Sequence, residues 1–162
     1  MEYGAEISAC QKYRWILWRE WDDVLPYMVF IMLNPSTADA VVDDPTIRRC
    51  VGFAKREGCG GFEVVNLFSY RATSPAVMKK ADDPIGYDGD SYLLSSATNP
   101  GNKFVVAAWG ANGSFMNRDR EVRKMLLDKG VTLHHLGLTQ AGQPMHPLYR
   151  PADTPLEVFH YE

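Results

Sequence analysis

The sequence predicts an α/β domain of three layers, a mostly parallel sheet between helices, and three observations lead to that expectation. Four apolar runs recur, at 27–33, 62–68, 104–109 and 131–138, each short and rich in branched or aromatic residues. Runs of that kind read as strands buried on both faces. Stretches with helix-start chemistry stand between them, and strands alternating with helices of about 10–15 residues imply parallel crossovers. The 162 residues contain no internal repeat, low-complexity tract or linker. A single α/β domain over residues 1–162 is therefore expected.

In chain order, Tyr13-Arg14-Trp15-Ile16-Leu17-Trp18 alternates imperfectly and reads as a first strand. Residues 19–23 would turn it into the run Tyr27–Leu33, an antiparallel start. That run stops at Asn34-Pro35-Ser36-Thr37. Pro35 biases Asn34 away from helix and cannot donate to a ladder, so the chain must turn there. Asp44 then reads as an N-cap with Pro45 at the first helical position. Ile47, Cys50, Val51 and Ala54 follow at helical spacing, and Gly58 closes the helix. Gly60-Gly61 lead into the second central strand, 62–68, and Ser74-Pro75 starts a helix by the same cap-plus-proline logic. Residues 88–97 read as another helix, and Asn99-Pro100-Gly101 as a turn into the third strand, 104–109. Arg118 to Lys129 is amphipathic, with Val122, Met125 and Leu126 on one face. The fourth strand lies within 131–138, and the rest is Pro-rich and irregular.

Composition narrows the function. The longest apolar run is far too short to span a bilayer, and no secretory leader opens the chain. Three cysteines, Cys10, Cys50 and Cys59, without CxxC or histidine pairing suit a reducing, cytoplasmic setting and form no zinc site or disulfide framework. A net charge of −3 supplies no global field for holding duplex DNA. Phosphate loops of the GxxxxGK[ST] or GxGxxG kind are absent, which removes kinase and dinucleotide readings. No cofactor is expected.

Each central strand ends in a short polar element, and parallel strands would bring those ends to one rim, where α/β sheets bind ligands. The rim would then hold Asn34 and Ser36, Asn66, and His146, with Arg71, Arg118 and Arg150 nearby. Two amides, an imidazole and guanidinium groups suit a planar, hydrogen-bonding ligand carrying a phosphate. Plainer readings stand beside this one. Asn66 could bond a neighbouring backbone, His146-Pro147 could be a turn, and His134-His135 read as strand residues. Asp39, Asp43 and Asp44 suggest a metal, but capping explains Asp44 and no histidine is spaced to join them. A Ser36/His146 nucleophile–base pair lacks a GxSxG elbow and an orienting acid.

The segments LNPSTAD, DDPTIRR, VVNLFSYRATSP, VVAAWG and HPLY, in that order, resemble domain-of-unknown-function family 1643 over about residues 8–150. More distantly, MLNPS, VVN, AAWG and HPLY are similar to the four motifs of the uracil-DNA glycosylase superfamily, most of all its single-strand-selective branch. That second resemblance implies a uracil-DNA-glycosylase-like fold and hydrolysis of an N-glycosidic bond. It implies that Asn34 positions the attacking water, Asn66 reads the base edge and His146 stabilises the departing base anion. Phe68 would then serve as a base-stacking surface, and Ser36, Arg71 and Arg150 would meet phosphate. The implied partner is a nucleobase, nucleotide or single-stranded nucleic acid. The alternative is a non-catalytic module that keeps the pocket and binds a nucleotide, a nucleic acid or a partner protein.

Overall fold

A computed structural model describes residues 1–36 and 44–161. The elements run β1 (Glu2–Ile7), β2 (Arg14–Glu20), β3 (Tyr27–Met32), α1 (Pro45–Arg56), β4 (Gly61–Asn66), α2 (Pro75–Lys79) and α3 (Gly89–Ala97). They continue with β5 (Asn102–Ala107), a 3₁₀ stretch (Ala111–Asn117), α4 (Arg118–Asp128), β6 (Leu133–His135), a 3₁₀ turn (Pro147–Tyr149) and β7 (Glu157–Phe159). The seven strands form one sheet in the order β1-β2-β4-β3-β5-β6-β7.

The four expected central strands, β4, β3, β5 and β6, are parallel to one another. The sheet as a whole is mixed, which corrects the mostly parallel expectation. β1 and β2 on one flank and β7 on the other run antiparallel to their neighbours. β1 and β7 escape pattern reading because edge strands carry little apolar signal. β7 has three residues, two of them exposed, and β1 has only one buried residue.

The expected antiparallel start also needs correction. β2 runs opposite to β3 but does not pair with it, because β4 lies between them. The connection after β2 hangs on Gly60: Trp21 and Asp22 both donate their amides to its carbonyl, and its own amide donates to Pro26. A Cβ at Gly60 would lie 1.9 Å from the Asp22 carbonyl oxygen, so only glycine lets the two chains approach. β2 is buried along most of its length because it has a neighbour on each side.

Strand alternation sorts the core into two layers. Met28, Phe30, Phe62, Val64 and Val106 face one side and meet Ile47, Cys50, Phe53 and Ala54 of α1. Val29, Ile31, Val65, Val105 and Ala107 face the other and meet Met78, Leu93, Ala97, Val122 and Leu126 from α2, α3 and α4. Helices therefore cover both faces. The expected caps are present: Asp44 Oδ1 accepts from the Ile47 amide at 2.8 Å, and Ser74 Oγ from the Val77 amide at 3.3 Å. Among the described residues no helix is long and apolar enough to cross a membrane.

Candidate functional site

The carboxyl ends of β3, β4 and β5 and the loop after β6 open on the α1 face of the sheet. There they surround a cavity of about 500 Å³. Alternation explains who faces it. Met32 and Asn34 continue the side taken by Met28 and Phe30, and Asn66 continues the side of Phe62 and Val64. Asn34, Ser36, Asn66 and His146 all line this one cavity. Trp109, Gly110 and Asn112 contribute from the end of β5, Thr46 and Ile47 from the first turn of α1, and Arg14 from the start of β2.

Hydrogen bonding gives the three lead side chains different polarities. Asn34 donates its Nδ2 to the carbonyls of Ala72, at 3.1 Å, and Pro35, at 3.2 Å, which commits the amide nitrogen and leaves Oδ1 as its acceptor. The same loop is tied by the Ala72 amide to the Pro35 carbonyl, at 3.0 Å, so the turns after β3 and β4 hold each other. Asn66 is 3% exposed, and its Nδ2 finds no partner among the described residues. A buried donor left unmade costs on the order of 1–3 kcal/mol, so this amide is set up for a group that is not part of the fold. His146 Nδ1 accepts from the Leu148 amide at 3.2 Å. The neutral imidazole must then carry its proton on Nε2 and is a donor there.

Electrostatics agree with a neutral His146. Burial pushes its pKa below the usual histidine value, and the Asp44 carboxylate acts in the opposite direction. Asp44 is itself on the cavity wall, so its cap role does not exhaust it. Arg14, 6% exposed, is pushed down to about 10, first by burial and then by Arg71, with Asp44 opposing; it remains charged at neutral pH. The loop carrying His146 is pinned from below, since the Gly110 amide donates to the Pro144 carbonyl at 2.8 Å. Gly110 has φ +75°, a left-handed position that favours glycine.

Other expected site residues lie elsewhere. Phe68 is fully buried in the opposite core layer, 5.5 Å from the Phe115 ring, and offers no stacking surface to this cavity. Arg71 and Arg150 are not among the described wall residues; Arg71 Nη1 donates to the Gln11 carbonyl at 3.0 Å. Arg118 is not on a basic rim at all. It is fully buried, with Nε on the Leu67 carbonyl at 2.8 Å and its Nη groups on Asp90 and Glu121. His134 and His135 lie in β6, where His135 Nδ1 accepts from the Gly137 amide at 2.9 Å. Thr37, Asp39 and Asp43 fall outside the described residues.

Arg14 and Trp109 are wall residues that residue-type reasoning passed over, and Asp44, read from the sequence as a helix cap, is a third wall residue. A charged residue opening an aromatic strand was the available signal for Arg14, and Trp109 follows directly from the rule that strand ends make the site.

A family model described as "Protein of unknown function (DUF1643)" matches residues 14–148. No curated protein and no solved structure matches the chain.

Proposed function

The chain belongs to the DUF1643 family of proteins of unknown function, and we propose that it hydrolyses the N-glycosidic bond of a nucleobase-bearing substrate in the cavity at the strand ends. The observation that carries this reading is the shared cavity, in which Asn34 offers an acceptor, Asn66 an unfilled buried donor and His146 an Nε2–H donor.

The reaction asks for those three polarities. As the bond between C1′ and the base nitrogen lengthens, positive charge gathers on the sugar and negative charge on the base. Asn34 Oδ1 accepts a hydrogen from water and turns the water's lone pair toward C1′. Water oxygen bonds to C1′, the C1′–N electron pair leaves with the base, and the water proton finishes on the base or in solvent. The His146 Nε2–H meets the developing anion, a contribution of about 3–4 kcal/mol for one well-placed donor. Asn66 presents a donor and an acceptor together and reads the base edge. Asn34 is no base, so catalysis rests on placement and charge stabilisation rather than proton abstraction.

The test is a screen of purified protein for free base released from uracil-, hypoxanthine- and oxidised-base oligonucleotides, nucleosides and nucleotides. Release from at least one class, lost in Asn34→Ala and His146→Ala, supports the reading. Binding of a nucleotide without release from any class would replace it with a non-catalytic binding module.

A further inference from the structure

α4, the end of β6 and β7 enclose a second cavity, of about 720 Å³, which the N-glycosidic reading leaves unused. Its size is within the range of small-ligand sites, roughly 300–1,000 Å³. Asp119, Arg120 and Arg123 line it from α4, His135 from the end of β6, Gln143 from the loop that follows and Phe159 from β7. We propose that this cavity binds a small zwitterion of the amino-acid class, with its ammonium group on Asp119 and its carboxylate toward Arg120 and Arg123. The site is separate from the candidate cavity and stands or falls without the N-glycosidic reading.

Asp119 sets the chemistry of the inner end. It is 9% exposed, and Gln143 Nε2 donates to its Oδ2 at 2.9 Å, while Oδ1 is buried with no partner among the described residues. No ion pair among the described residues includes it. A buried carboxylate with one oxygen unfilled and no cation against it is costly, and the matching group is a donor that is itself positive. A hydroxyl would fill the lone pair and leave the charge uncompensated. An ammonium group does both, through a charge-assisted hydrogen bond. A metal ion suits the place less well, since among the described residues no group of three or more His, Cys, Asp or Glu converges to hold one.

The outer end has the opposite sign. Asp119 and Arg123 are one helical turn apart on α4, with the exposed Arg120 beside them. The Arg123 guanidinium lies 4.0 Å over the Phe159 ring and donates to the His160 carbonyl, which fixes its place on the wall. Guanidinium forks match a carboxylate in shape and charge. Glu157, exposed at the margin, is the other carboxylate of the described wall, so two arginines outweigh it there. His135 is 5% exposed, and because its Nδ1 accepts from the Gly137 amide the neutral ring offers an Nε2–H donor. Phe159 and Leu138 supply apolar surface for a side chain. Gln143 makes occupancy readable, since its Oε1 accepts from Trp109 Nε1 at 2.8 Å and a change at Asp119 reaches that indole through one side chain.

The experiment titrates the full chain with the standard amino acids, their N-acetyl derivatives and their decarboxylated amines. It reads the thermal midpoint and the indole N–H resonance of Trp109, identified by its loss in Trp109→Phe. The expected result is that at least one amino acid raises the midpoint and moves that resonance, while its N-acetyl derivative binds about tenfold or more weakly. Asp119→Asn should weaken the amino acid by a similar factor, and Asn66→Ala, in the other cavity, should leave its binding unchanged. Arg120→Gln changes an exposed side chain and should weaken the amino acid but not the corresponding amine, so it decides the matter should Asp119→Asn fail to fold. Absence of binding by every amino acid up to about 10 mM would overturn the proposal. Equal binding of the N-acetyl derivative would do the same, as would binding that survives Asp119→Asn and is lost in Asn66→Ala.

Discussion

His146 is held neutral by burial and by the Leu148 amide donating to Nδ1, so its Nε2–H is a fixed donor rather than one tautomer of two. Removing it in His146→Ala should lower turnover by about 10²–10³-fold, the range for losing one anion-stabilising donor. Asn34→Ala should reduce kcat with little change in KM, since water placement matters in the transition state more than in ground-state binding. Steady-state kinetics on any substrate that releases base checks both, and an unchanged kcat in either variant contradicts the assigned role. The cysteines allow a test that needs no substrate. Cys10 is exposed and its thiol pKa is lowered, chiefly by the Ser8 hydroxyl, whereas burial raises those of Cys50 and Cys59. A chromogenic disulfide should therefore titrate Cys10 alone in native protein and all three cysteines after denaturation. At this scale Asn34, Asn66 and His146 were legible as candidates because each is a polar residue near or beyond the end of a buried run whose end had to reach the rim. Phe68 was not, because where β4 ends its strict alternation ends too, and the ring turns into the opposite core layer. Arg118 misled for a related reason: a cation at a helix start reads as surface chemistry until a backbone carbonyl claims it from inside.

That carbonyl, Leu67, ends the β4 extension, and Arg118 ties it to the first turn of α4. Asp90 and Glu121 are half-exposed, so losing either one leaves the guanidinium a second acid. Arg118→Ala removes the donor entirely and strands a buried carbonyl, which alone costs roughly 1–3 kcal/mol before the void is counted. Urea denaturation should show that loss, with Asp90→Asn costing less than half as much; equal costs would mean that the carboxylates, not the carbonyl, set the energetics. The helices were readable from caps, with Asp44-Pro45 and Ser74-Pro75 starting α1 and α2 where expected. Strand order was not readable. β2 looks like the first arm of a hairpin with β3, yet its neighbours are β1 and β4, and the close approach of the connecting chain at Gly60 leaves no signal in the apolar pattern.

Across the whole molecule, His134, His135 and His146 all have pKa values lowered mainly by burial from an ordinary 6.5. A histidine kept neutral in the fold binds fewer protons than in the unfolded chain, so its contribution is present above about 6.5 and is lost as pH falls through the folded values. Glu63, whose pKa burial raises from 4.5, works in the opposite sense but is one group against three. The thermal midpoint should therefore fall between pH 7.5 and pH 5.5, and His134→Gln should lessen the fall, because its Nδ1 is buried without a partner among the described residues. A midpoint that is flat or rising over that interval contradicts this balance. The central claim, that one cavity brings water, sugar carbon and departing base together, is tested most directly by running the reaction in ¹⁸O-labelled water and weighing both products. The expected result is label in the released sugar at C1 and none in the base, with release abolished in His146→Ala. Label in the base, which would mean attack on the ring rather than on the glycosidic carbon, would contradict the account.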